Sequence, residues 1–228
     1  MSAEQAKEGV KAPTVFVWDL ALRLFHWLLV VLVVISWTCA QIGGNAMEYH
    51  ELSGLAILAL VLFRILWGFC GGHHARFGNF VRGPRAAWRY LQALRASKAP
   101  ASVGHNPLGA WSVLAMLVCL SVQAGTGLFS NDDIMMEGPL VKWISKDVSD
   151  LVTRIHHANS SVLLALIVLH LAAVLYYLVA KRDNLITPMI TGRKQLAGES
   201  TNARREVVMV RAAVLCAACA AAVYFLIR

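Results

Sequence analysis

Charged residues are the scarcest class in this sequence: Asp, Glu, Lys and Arg make up 15% of its 228 residues, against 58% for the hydrophobic types. That balance lies outside the range of soluble globular domains and excludes an ordinary water-facing surface. A secreted-type disulfide framework is missing too. Cys39, Cys70, Cys119, Cys216 and Cys219 are odd in number and fall inside or at the ends of apolar stretches, where cysteine is a small packing residue. Lys and Arg are entirely absent between the first two apolar stretches. No internal repeat or low-complexity tract is evident.

What is present is a set of long apolar runs. A helix needs about 20 mostly apolar residues to cross a hydrocarbon core roughly 30 Å thick. Five stretches reach that length, at about 20–42, 50–70, 107–129, 158–180 and 207–227. The first does not end as a cleaved leader, because Ser36 to Gln41 is a poor signal-peptidase site, so it is expected to be retained. The fold class expected is therefore all-α and integral to the membrane, with the lipid bilayer as the first partner.

The formal charge of +8 carries topology rather than a nucleic-acid site. Arg76, Arg82, Arg85, Arg89, Arg95 and Lys98 lie between the second and third runs, and Lys181, Arg182, Arg193, Lys194, Arg204 and Arg205 between the fourth and fifth. The 130–154 connection instead holds Asp132, Asp133, Glu137, Asp147 and Asp150 against only Lys142, Lys146 and Arg154. Basic connections stay inside, which puts the N-terminus in the cytoplasm, the acidic connection outside, and the chain in a bacterial inner membrane as a multi-pass protein. Residues 1–17 read as a polar, flexible tail. The Gly-rich break before Pro84 leads into arginines alternating with Trp88, Leu91 and Leu94, the pattern of a short helix at the inner membrane surface. Leu140, Val141, Trp143 and Ile144 suggest another interfacial turn outside, on a loop suited to docking a partner. The alanine-rich fifth run permits close helix approach, and within it Cys216 and Cys219 form a C-x-x-C that burial assigns to packing rather than redox chemistry.

The eight histidines carry the functional signal, because ionisable groups at membrane depth are costly. His73, His74 and His105 fall in the inner connection, whereas His26, His50, His156 and His170 lie in or at the mouths of spans. At about 100° and 1.5 Å per residue, His156 and His170 differ by roughly 40° around one helix and by about 21 Å along it. They share a face, one toward each side of the membrane. His157 is roughly 140° from His170, so it does not share that face; it bonds a haem propionate or sits at the interface. The directions of the spans then pair His50 with His156 outside and His26 with His170 inside. Two bis-imidazole pairs stacked across a bilayer suit two low-spin haems that exchange electrons. No C-x-x-C-H is present, so the haems are non-covalent, of b type.

Gly54, one turn from His50, leaves room for a flat macrocycle. Arg64, on the His50 face at the depth of the inner pair, either faces a haem propionate or snorkels to the inner interface. Arg23 and Asp19 either act on the same side as His26 or pair with each other.

These residues resemble a known family. Val17-Trp18-Asp19-Leu20 with Arg23 and His26-Trp27, His50 with Gly54, Arg64 with Trp67-Gly68, His105-Asn106-Pro107-Leu108-Gly109, Thr126-Gly127-Leu128, and His156 with His170 are similar to bacterial cytochrome b-561 and the nickel-iron hydrogenase cytochrome b subunits. The resemblance spans roughly residues 15–195. It implies a four-helix transmembrane bundle with two haems b, ligated by His26, His50, His156 and His170. It also implies electron exchange between membrane quinone, ubiquinone or menaquinone, and a periplasmic redox protein such as a c-type cytochrome, a hydrogenase or another dehydrogenase. The expected organisation is thus a tail over 1–17, a di-haem unit over 18–195, and a linker with an extra helix over 196–228. That fifth span departs from the four-helix members; a partner subunit or a second copy of the chain, as a homodimer, are its expected neighbours.

Two other functions use the same residues. A haem enzyme that oxidises superoxide or reduces a small acceptor needs only the outer site, but the acidic connection repels anions. A metal or proton transporter also uses membrane histidines, yet it favours broken helices or inverted repeats, and neither is evident.

Overall fold

The computed structural model describes residues 14–100, 102–134, 136–195 and 205–228. The tail over 1–13 and the linker residues 196–204 lie outside the described residues. A short strand β1 (Thr14–Phe16) is followed by helices α1 (Leu20–Ile42), α2 (Met47–Cys70), α3 (Phe77–Phe80), α4 (Pro84–Arg95), α5 (Pro107–Gly127), α6 (Lys146–Val179) and α7 (Ile186–Thr191), then strand β2 (Arg193–Gln195) and helix α8 (Arg205–Leu226). Five of these helices, α1, α2, α5, α6 and α8, are long and apolar enough to span a membrane. The protein is an all-α, multi-pass membrane bundle.

The helices begin where the sequence supplies caps. Asp19 Oδ1 accepts from Leu22 N at 2.7 Å, and Asn106 Oδ1 accepts from Gly109 N at 2.8 Å with Pro107 in the first turn of α5. Pro84 opens α4, the amphipathic helix expected from the arginine pattern. Gly43, at φ 70°, ends α1 by donating to the Cys39 carbonyl. A tight turn over Gly44–Ala46 then reverses the chain into α2.

Packing runs in sequence: α1 on α2, α2 on α5, α5 on α6, with α8 lying against α2. The buried seam includes Phe25, Phe63, Trp67, Leu117 and, from α8, Ala212 and Cys219. Small residues on α8 let it approach closely, since close van der Waals contact drives helix association where lipid is as apolar as protein. Cys219 is buried and Cys216 exposed, and all five cysteines are free. By contrast α6 rests on α5 and barely touches α1 or α2. The gap this leaves between the backbones is filled in part by side chains, with Leu163, Leu166 and Ile167 sharing an apolar cluster with Ile57 and Val61 of α2 and Leu29 and Leu32 of α1.

Three features differ from the sequence expectation. Helix α6 is 34 residues long, about 51 Å at 1.5 Å per residue, well beyond the span expected at 158–180. Its first turns carry Lys146, Asp147, Asp150 and Arg154, which hide the helix from a hydropathy pattern; Ser145 caps them and Lys146 pairs with Asp150 one turn on. Much of the acidic 130–154 segment is thus helix. The connection before it holds a single turn over Val141–Trp143, where the interfacial turn was expected.

The second difference is at the basic end. The segment expected as a tail to residue 17 enters structure at Thr14: β1 pairs antiparallel with β2, Val15 opposite Lys194. Lys194 Nζ also lies 2.9 Å from Asp183 and 3.1 Å from the Ser102 carbonyl, closing three connections into one cap. Third, of the two alternatives for Arg23 and Asp19, a side-chain pair between them does not form. Arg23 donates to the Ile190 carbonyl, while Trp27 Nε1 donates to the Met189 carbonyl at 3.2 Å, docking α7 on α1.

Gly192 makes that docking possible. Its φ is +81°, and a Cβ there would stand 2.8 Å from the Trp18 carbonyl. Gly192→Val is expected to cost about 1–3 kcal/mol, measured as a lower thermal midpoint in detergent; an unchanged midpoint would show that the cap contributes nothing.

Candidate functional site

The gap beside α6 is lined at two levels by histidines. At the acidic end His50, in the first turn of α2, faces His156 of α6, with ring centroids 6.1 Å apart and planes at 85°. Each ring is oriented by a backbone carbonyl. His50 Nδ1 donates to the Ser36 carbonyl of α1 at 2.9 Å, with Ser36 Oγ at 3.1 Å. His156 Nδ1 donates to the Gln123 carbonyl of α5 at 3.0 Å, with Thr126 Oγ1 at 3.1 Å. A proton committed to Nδ1 leaves the Nε2 lone pair of His50 for another group, while that of His156 accepts from Gln123 Nε2 at 3.0 Å.

Behind His156 stands a polar ladder between α5 and α6. Gln123 Nε2 donates to His156 Nε2 at 3.0 Å, and Gln123 Oε1 accepts from Asn159 Nδ2 at 2.7 Å. Asn159 continues to the Cys119 carbonyl at 2.9 Å. Gly127 lets the ring sit close, since a Cβ there would be 3.3 Å from His156 Cε1. Gly54 shows the opposite: a Cβ built on it meets nothing within 4 Å, so the space beside His50 is open. His157 is exposed.

At the basic end His26 of α1 and His170 of α6 are near enough for their charges to interact. Around them lie four buried polar atoms with no hydrogen-bond partner: Arg23 Nε, His26 Nδ1, Arg64 Nη1 and His105 Nδ1. Arg64 is 2% exposed, and its guanidinium lies over the Phe77 ring at 4.9 Å. Gly68 makes that stacking possible, because a Cβ at Gly68 would collide with Phe77. Asp19 is within electrostatic reach of Arg64, but its oxygens serve Leu22 N and Trp67 Nε1, the latter at 3.3 Å.

His105 was placed by sequence in an inner connection and carried no role. The structure instead wedges its ring between Trp18 and Phe80, at 4.6 Å and 4.7 Å. Burial, and then the charge of Arg64, push its pKa down to about 3, which keeps the imidazole neutral at pH 7. Burial likewise lowers His74, with His73 beside it adding to the shift. The only advance signal for His105 was its place in the His105-Asn106-Pro107 stretch that opens α5.

The donor set distinguishes among metal groups. Among the described residues no three His, Cys, Asp or Glu side chains gather as a bare ion requires. Opposed imidazole pairs instead suit an iron whose remaining ligands are already supplied, as in haem. Two imidazoles joined through one metal by bonds of roughly 2 Å hold their centroids roughly 6 Å apart, the spacing of His50 and His156. The unpartnered donors at the other level suit a group bearing acceptors.

A family model of prokaryotic cytochrome b561 matches residues 17–192. Among curated proteins, the chain is 25% identical over 224 residues to a probable Ni/Fe-hydrogenase B-type cytochrome subunit of Bradyrhizobium diazoefficiens, covering 83% of this chain and 89% of that one. It is 27% identical to proteins of the same description from Azotobacter chroococcum and Azotobacter vinelandii, each covering 80% of this chain and 89% of the relative. No solved structure matches the chain significantly. With the family match running from the end of β1 through α7, this chain belongs to the prokaryotic cytochrome b561 family and is a membrane electron-transfer protein of b-type haem.

Proposed function

We propose that the chain holds two haems b, one between His50 and His156 and one between His26 and His170, and relays electrons between the quinone pool and a periplasmic redox protein from the bacterial inner membrane. The observation that carries this is the facing of His50 and His156 at 6.1 Å, each with Nδ1 on a backbone carbonyl. A haem b held there by His50 and His156 would supply one-electron exchange rather than oxygen binding.

The chain's own residues do the rest. The Ser36 and Gln123 carbonyls would fix the tautomers and raise the basicity of the rings, and the Gln123 amide now on His156 Nε2 would give way when that ring binds iron. Apolar walls from α1, α2 and α6 keep water out, which helps set the potential. One rigid helix, α6, carries a histidine of each pair, so the two levels stay a fixed distance of about 21 Å apart along its axis. The basic connections place the His26–His170 level on the cytoplasmic side and the acidic end, with its extended α6, on the side where a partner docks. The hydrogenase cytochrome subunits among its relatives favour a hydrogenase as that partner; a c-type cytochrome fits the same geometry.

In proteoliposomes, a quinol is expected to reduce both haems, and an added external acceptor to reoxidise them; with hydrogenase and hydrogen as the donor the flow reverses. Haems that neither donor reduces would refute the relay. Within the site, Gln123→Leu removes an outer-shell partner of His156, a change that typically costs about 10–100-fold in affinity. The expected result is easier haem loss from the acidic-end site, read by transfer to apomyoglobin, with the other haem retained.

A further inference from the structure

We infer that Arg64 and His105 together form a carboxylate-binding pocket at the basic end of the bundle, taking a propionate of the haem between His26 and His170. This rests on the di-haem reading above. A guanidinium 2% exposed, with Nη1 unpartnered, cannot stay charged without an anion unless a large desolvation cost is left uncompensated. Asp19 offsets that cost only from a distance: its oxygens are bonded to Leu22 N and Trp67 Nε1, and among the described residues Arg64 forms no ion pair.

His105 supplies the second half. Its buried Nδ1 also lacks a partner, and it lies within electrostatic reach of both Arg64 and His170. An aromatic ladder joins the two groups: Arg64 stacks on Phe77, Phe77 packs on Phe80 at 5.8 Å, and Phe80 packs on His105. The short helix α3 folds back under α2 and sets both donors on the floor of the inner level. A planar fork and a ring N–H are the donors that a carboxylate takes best. Of the other unpartnered groups there, Arg23 is already committed through Nη1 to the Ile190 carbonyl, and His26 is the ligand proposed above.

The test is a potentiometric titration of both haems in the purified full-length chain. Arg64→Gln leaves a propionate without its cation and is expected to shift the redox equilibrium of one haem about tenfold toward the oxidised form, 59 mV for one electron, leaving the other in place. Arg64→Lys, which keeps the charge, is expected to recover most of the shift. His105→Phe preserves the aromatic packing and is expected to move the same haem in the same direction by less. If Arg64→Gln strips that haem, His105→Phe carries the measurement. Both haems present with both potentials unmoved in all three variants would overturn the pocket. So would a wild-type potential that moves on exchanging chloride for phosphate, since an exchangeable anion would then fill the site. A wild-type chain without haem would instead refute the di-haem reading.

Discussion

His156→Ala is expected to take the haem content from two per chain to one and to end electron transfer across the bilayer. His156 is braced on Gln123, Thr126 and Asn159 of the α5–α6 seam, and its loss leaves His50 facing no second imidazole. The effect should exceed the roughly 10–100-fold that an outer-shell change costs. Haem counted by pyridine haemochrome, with quinol-driven reduction of an external acceptor followed in proteoliposomes, reads both parts. Retention of two haems would remove His156 from the site. His157→Ala, on the exposed side of the same helix, should change neither.

Gly54→Trp is expected to abolish the same haem without touching a ligand. Nothing lies within 4 Å of the position its Cβ would take, so the side chain starts out into open space, and an indole there is expected to fill the space beside His50. The helix itself loses nothing, because glycine is a poor helix former. Gly78 offers a control. A Cβ there also meets nothing within 4 Å, but it opens on a lipid-facing groove between α2 and α5 rather than the histidine gap. Gly78→Trp should therefore keep both haems. If Gly54→Trp kept them as well, the gap would not be where a macrocycle sits.

Much of this was legible in the amino-acid sequence because two periodicities dominate it. Apolar runs of span length located α1, α2, α5 and α8, and the helical phase of His156 and His170 located one face of α6. Other features were hidden for definite reasons. The outer turns of α6 are stabilised by a cap and the Lys146–Asp150 pair, not by an apolar pattern. The pairing of β1 with β2 joins segments from opposite ends of the bundle's sequence, and no local signal marks it. Gln123 and Asn159 are polar residues within apolar runs, which was a usable sign, but which histidine they serve depends on the register of α5 against α6. His105 was concealed most completely: it sits in a polar connection, and only the fold-back of Phe77–Phe80 buries it. Spacing from His50 gave Arg64 a depth but not its burial, which follows from Gly68 admitting the Phe77 ring.

The most direct measurement is the ratio of haem to polypeptide in the full-length protein purified from haem-replete cells, taken with its reduced-minus-oxidised spectrum. Two imidazole pairs require two b-type haems per chain, both low-spin. A ratio near one, or a colourless protein, would contradict the pairing of His50 with His156 and of His26 with His170.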